Sequence, residues 1–115
     1  MASNFFLVHH TFKPGMAEKW WNNMKNYDES KQNTHQENQE KAGVYCHTFM
    51  PTAKEGPMFC IWEAKEGISD TEFQNFIDAP NAISVHMELD QPLHNHCQKI
   101  DHDLIGGEGP YPRHF

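Results

Sequence analysis

The chain has 115 residues, 37% apolar and 12% aromatic, the size of one ordinary domain with enough large side chains for a modest core. Sixteen acidic against nine basic residues give a formal charge of −7, and the Lys and Arg are scattered, so nucleic acid and anionic membrane are not expected partners. No apolar run approaches the roughly 20 residues of a membrane span, and MASNFFLVHH lacks a basic n-region and a cleavable h-region, so a soluble, cytoplasmic chain is expected.

Phe5 to Phe12, FFLVHHTF, reads as a strand stopped by Lys13-Pro14-Gly15. Its alternate faces, Phe5, Leu7, His9, Thr11 and Phe6, Val8, His10, Phe12, are both largely apolar. Both should be covered, by helices on one side and by a second subunit on the other. From Met16 the period turns helical, with Ala17, Trp20, Trp21, Met24 and Tyr27 on one stripe ending at Tyr27. Asp28 to Lys41 is almost wholly polar and is read as a second, largely exposed helix closing near Ala42, with Gly43 past its end.

Val44 to Met50 is the second strand, and Thr52 to Pro57 turns it into the third, Met58 to Ala64. That third strand, MFCIWEA, is too short for a helix and is expected to be central and buried on both faces. Ser69 and Glu72 have capping-box spacing at the start of a helix whose apolar face is Phe73, Phe76 and Ile77. Asp78-Ala79-Pro80-Asn81 interrupts it, and Ala82 to Leu89 is expected to add further helical turns. Leu93 to Ile100 is a polar edge strand, and the Gly- and Pro-rich tail should wrap a partner or be mobile. The order β-α-β-β-α-β predicts one α+β domain over residues 1–115, core about 5–100 and tail 101–115, with a ferredoxin-like four-stranded antiparallel sheet. Cys46, Cys60 and Cys97 are odd in number and form no CxxC pair, so buried free thiols are expected.

The segments HTFKPG, HTFMP and CIWEA, on the first, second and third strands, resemble those of the small dimeric α/β-barrel proteins. Within that superfamily the chain is similar to small stand-alone domains in which a Cys-aromatic-Glu-Ala strand precedes the second helix. The resemblance covers roughly Phe5 to Ile100. It implies a homodimer with two four-stranded sheets back to back and a pocket in each subunit between sheet and helices. The superfamily includes cofactor-independent monooxygenases, heme-degrading enzymes, isomerase-like enzymes, metal-binding proteins and stress-induced proteins, so it leaves the activity open. Heme-degrading members rely on an Asn on the first strand, a Trp on the third and a His early in the second helix. Asn4 and Trp62 stand in the first two places, but Phe73 to Asp78 holds no histidine and His86 comes well after it.

His-Thr-Phe occurs twice, at His10 and His47. With the first and second strands parallel on either side of the third, these rings are expected at one end of the sheet, roughly 10 Å apart. On a common face they would flank a cleft walled by Phe6, Val8, Phe12, Tyr45 and Phe49, with Trp20, Trp21 and Trp62 shaping it. Glu63 alternates with Trp62, so it should reach solvent at the strand end or pair with His9 or His47.

Three readings of the histidines stay open. Each can be a half-buried strand residue bonded to a carbonyl or a partner subunit. His10 or His47 can be the base of a cofactor-independent proton transfer or oxygenation on a small apolar or aromatic molecule. Some of His9, His10, His47, Glu63, His94 and His96 can hold a divalent metal, in a non-catalytic metal-binding or stress-response protein. A dimer serving only as an interaction module is a further reading. Ser69 reads as a cap, not a nucleophile.

Overall fold

Period-two alternation sorts the side chains of β1 (Asn4–Phe12) onto two surfaces, and the pairings of the other strands carry that division across the sheet. In the computed structural model, which describes residues 2–79 and 87–115, β1 pairs antiparallel with β3 (Met58–Ala64) and with β4 (Leu93–Lys99). β3 pairs antiparallel with β2 (Val44–Pro51), so the order across the sheet is β2-β3-β1-β4. The strand over 58–64 is therefore interior, as its composition predicts, and the polar β4 is an edge. The domain is α+β, with a four-stranded antiparallel sheet.

One surface of the sheet carries the core. Phe6 lies opposite Trp62, Val8 opposite Cys60 and His10 opposite Met58, and side chains from the helices pack on these rungs. α1 (Met16–Lys25) contributes Trp20 and α3 (Asp70–Asp78) contributes Phe73 and Ile77. The Phe73 ring stacks on Phe6 at 4.3 Å and 12°. Burying each of these rings is worth about 1.5–3 kcal/mol, which explains why the apolar stripes of α1 and α3 were readable. α1 stops two residues before the expected Tyr27, where Tyr27 N–H turns back to Met24 O at 3.1 Å.

α2 (Glu29–Ala42) is a full helix despite its polarity. Asp28 caps it by accepting from Lys31 N–H at 2.9 Å, and Gly43 closes it in the left-handed region at φ 81. At α3 the capping box is present, Ser69 accepting from Glu72 N–H and the Glu72 side chain from Ser69 N–H. The helical turns expected over Ala82 to Leu89 lie, up to His86, outside the described residues.

The opposite surface corrects two expectations. The tail neither awaits a partner nor hangs free: after a short 3-10 helix (His102–Ile105) it folds back over the corner of the sheet that carries Phe5, Tyr45 and Glu63. Arg113 lies over the Phe5 ring at 5.9 Å, and Gly109 passes so close to that ring that a Cβ would overlap it. The chain's own tail thus covers part of the face that was assigned to a second subunit. Beyond it, Leu7 and Met50 remain 38% and 42% exposed. Among the described residues no helix is long and apolar enough to cross a membrane.

Candidate functional site

Between the helix-bearing face of the sheet and the first two helices lies a cavity of about 210 Å³. Its floor is Cys46, Phe49, Met58, Cys60 and Trp62, and α1 supplies Trp20, Met24 and Tyr27. The roof is polar: Gln32, His35, Gln36 and Gln39 recur along α2 at helical spacing and turn one face of it inward. Burial pushes the Tyr27 phenol up and pulls the His35 imidazole down, favouring the neutral form of each, and Tyr27 Oη meets His35 Nδ1 at 2.5 Å. Among the described residues no Lys, Arg, Asp or Glu lines the cavity.

His10 enters this cavity from β1 with its ring orientation fixed from behind. Asn95 of β4 lies directly across from it, and their side chains meet at 2.5 Å between His10 Nδ1 and Asn95 Oδ1. The Asn95 amide cannot turn over, because its Nδ2 donates to the Asp78 carboxylate at 3.1 Å and a carboxylate only accepts. Asn95 therefore presents oxygen to His10, and Nδ1 must carry the hydrogen. In the neutral form of such a ring the lone pair is on Nε2. Gln74 secures Asp78 in turn, donating to its Oδ2 at 2.9 Å while accepting from Cys97 N–H at 3.0 Å.

His47 does not share this cavity, contrary to expectation. The register along β2 slips between Cys46, opposite Trp62, and Thr48, opposite Ile61, so His47 is the extra residue of a bulge. It sits across from the far half of β3, whereas His10 sits across from Met58 at its start, so the two are not at one end of the sheet. They also face opposite ways. His47 Nε2 donates to Glu63 Oε1 at 2.7 Å on the tail side, and the ring packs between Phe5 at 5.4 Å, Tyr45 at 4.8 Å and Tyr111, stacked at 4.9 Å. The bulge also restores Phe49 to the cavity side, whereas simple alternation would have sent it with Tyr45 and His47.

Glu63 is 0% exposed, which overturns the expectation that it reaches solvent. Its carboxylate accepts from Ser3 Oγ at 2.6 Å, from His47, and from the backbone N–H groups of His114 and Phe115 at 2.8 and 3.0 Å. Burial alone would raise its pKa, but these hydrogen bonds together hold it below the usual carboxylate value.

Of the residues expected to bind a ligand, Trp20, Phe49 and Trp62 line the cavity, while Tyr45 and Glu63 lie on the other face. Trp21 is half-buried beside it and donates from Nε1 to Lys54 O at 2.7 Å. His9 lies across from His96, with the exposed His94 one rung-pair along the same face. Among the described residues no three His, Cys, Asp or Glu side chains gather to hold a metal. His86 lies outside the described residues. Sequence reasoning missed Asp78, Asn95 and the polar roof; the recurrence of Gln and His at positions 32, 35, 36 and 39 was the signal available for the roof.

The fold and site together define a small α+β domain with a histidine-bearing, uncharged cavity between its sheet and helices. The chain belongs to a family described as a domain of unknown function, DUF8652, which matches residues 5–108. Neither a curated protein nor a solved structure matches it.

Proposed function

We propose that this protein binds a small, uncharged, largely aromatic molecule in the cavity and moves a proton to or from it through His10. The observation that supports the reading is the Asp78–Asn95–His10 chain, which fixes the orientation of a buried imidazole on a residue that lines the cavity. An uncharged organic ligand suits the described lining, which offers a charged one no Lys, Arg, Asp or Glu of opposite sign. The ligand must also be small, since typical ligand pockets begin at about 300 Å³. Trp20, Phe49 and Trp62 would take its aromatic body, and the amides of α2 its polar edge.

In the reaction that suits this geometry, His10 Nε2 takes a proton from an O–H or activated C–H of the ligand. The imidazolium is then stabilised through Nδ1–H by the Asn95 carbonyl, itself polarised by Asp78. Return of the proton to a different ligand atom gives isomerisation with no cofactor consumed. The metal-binding alternative draws on His9 across from His96 and gains no third donor among the described residues.

The overall architecture in this reading is ferredoxin-like, supported by the antiparallel order with β1 and β3 inside. The partner is a second copy of the chain, docked on the uncovered part of the outer face around Leu7 and Met50. Titration with single-ring phenols and their benzoate counterparts, followed by quenching of tryptophan fluorescence, tests the ligand class. Saturable quenching by the phenols alone is expected; equal binding of the anions, or no saturation with either, contradicts it. In proton exchange on a bound ligand, His10→Ala is expected to cost about 10²–10⁴-fold.

A further inference from the structure

Two thiols in the same cavity, Cys60 buried and Cys46 half-buried, take no part in the proton chemistry. Cys46 lies opposite Trp62, and Cys60 is two residues back along β3, so the pair is diagonal on the cavity side of the sheet. Cys46 donates from its thiol to Thr48 O at 3.6 Å, and the two thiols perturb one another. The neighbouring Cys60 thiol, with the bond to Thr48 O, holds Cys46 below the ordinary thiol range, and the Cys46 thiol together with burial pushes Cys60 up.

The spacing discriminates between two fates for such a pair. Diagonal neighbours on adjacent strands stand about 7–8 Å apart, wider than the about 4.4–6.8 Å between Cα atoms that a disulfide spans. A bridging cation replaces one S–S bond of about 2.05 Å with two metal–thiolate bonds of about 2.3 Å each, and so suits the wider gap. The surroundings choose the kind of cation. Five of the fifteen described side chains lining the cavity carry sulfur, Met24, Met58 and Met87 beside the two cysteines, and none of the fifteen is a carboxylate. Such a lining favours a soft ion over hard, oxygen-seeking divalent ones. With no third His, Cys, Asp or Glu joining them among the described residues, the thiols offer two-coordinate binding.

We propose that Cys46 and Cys60 form a two-thiolate site for a soft monovalent cation, Cu(I), held between the two sulfurs and shielded by the cavity methionines. Binding breaks two S–H bonds, forms two Cu–S bonds and releases two protons, with no change in oxidation state. The site uses neither His10 nor the polar roof, so it stands or falls apart from the proton-transfer reading.

The test is anaerobic titration of the reduced, untagged full chain with Cu(I) against a bicinchoninate competitor, with X-ray absorption on the loaded protein. One copper per chain with sulfur as its only near neighbours is expected, lost in Cys46→Ser and in Cys60→Ser and kept in Cys97→Ser. Cys97 is a fitting control, since burial, with the charge of Asp78, pushes its thiol up to about 12 and it lies outside the cavity. Should Cys60→Ser not fold, Cys46→Ser at its half-buried position decides alone. Undiminished uptake in Cys46→Ser, loss in Cys97→Ser, tighter binding of Zn(II) than of Cu(I), or nitrogen neighbours to the metal would each overturn the site.

Discussion

Glu63 shows at the scale of one residue how a charge is kept inside a small domain. A carboxylate whose pKa is lowered by folding binds fewer protons in the folded chain than in the unfolded one. Its contribution to stability is therefore complete above the ordinary carboxylate value of about 4.3 and is lost as the pH falls through the lower folded value. Melting temperatures measured against pH should fall on the acid side of that value, and Glu63→Gln should flatten that limb. The same variant should cost about 1.5–3 kcal/mol at neutral pH, because the amide cannot accept from Ser3, His47 and two backbone N–H groups at once. A stability profile unchanged by the substitution would show that the tail does not depend on this carboxylate. The sequence made Glu63 conspicuous, since it alternates with Trp62 and needs a partner, and His47 was one of two candidates. Its other partners were invisible because Ser3, His114 and Phe115 are distant in the chain and two of them act through backbone atoms.

At the scale of elements, the strands were legible where hydrophobicity set them and their facing was not. Residues 58–64 form the strand that their composition predicts, and β4 ends one residue short of the expected Ile100. The β2 bulge carries no glycine to announce it, yet one extra residue reverses the alternation beyond it and separates His47 from Phe49. This is why the expected two-histidine cleft dissolves into a cavity holding His10 and a clamp holding His47. α2 was legible as a helix through its ends, not through an apolar stripe, and the face it turns inward is made of amides and an imidazole. Because the Asp28 side chain caps its start, Asp28→Ala should cost about 1 kcal/mol. It should also speed amide exchange over the first turn of α2 while leaving that of α3 unchanged. Equal protection in both proteins would mean that packing alone holds the helix.

The whole molecule divides its two sheet faces between two tasks. The helix side encloses the cavity, and the other side is part covered by the tail and part left apolar, with Leu7 and Met50 exposed on it. If a second copy covers that remainder, the wild-type chain should sediment as a dimer, and Leu7→Glu with Met50→Glu should give a folded monomer. A monomeric wild type would remove the dimer from the account without touching the cavity.

The cavity's chemistry depends on which nitrogen of His10 carries hydrogen, and long-range ¹H–¹⁵N spectra of the histidine-labelled protein read this directly. A protonated Nδ1 and a bare Nε2 are expected at neutral pH, with the assignment lost or mixed in Asn95→Ala. A His10 with its hydrogen on Nε2, or one that Asn95→Ala leaves unchanged, would contradict the claim that Asp78 and Asn95 prepare it as a base.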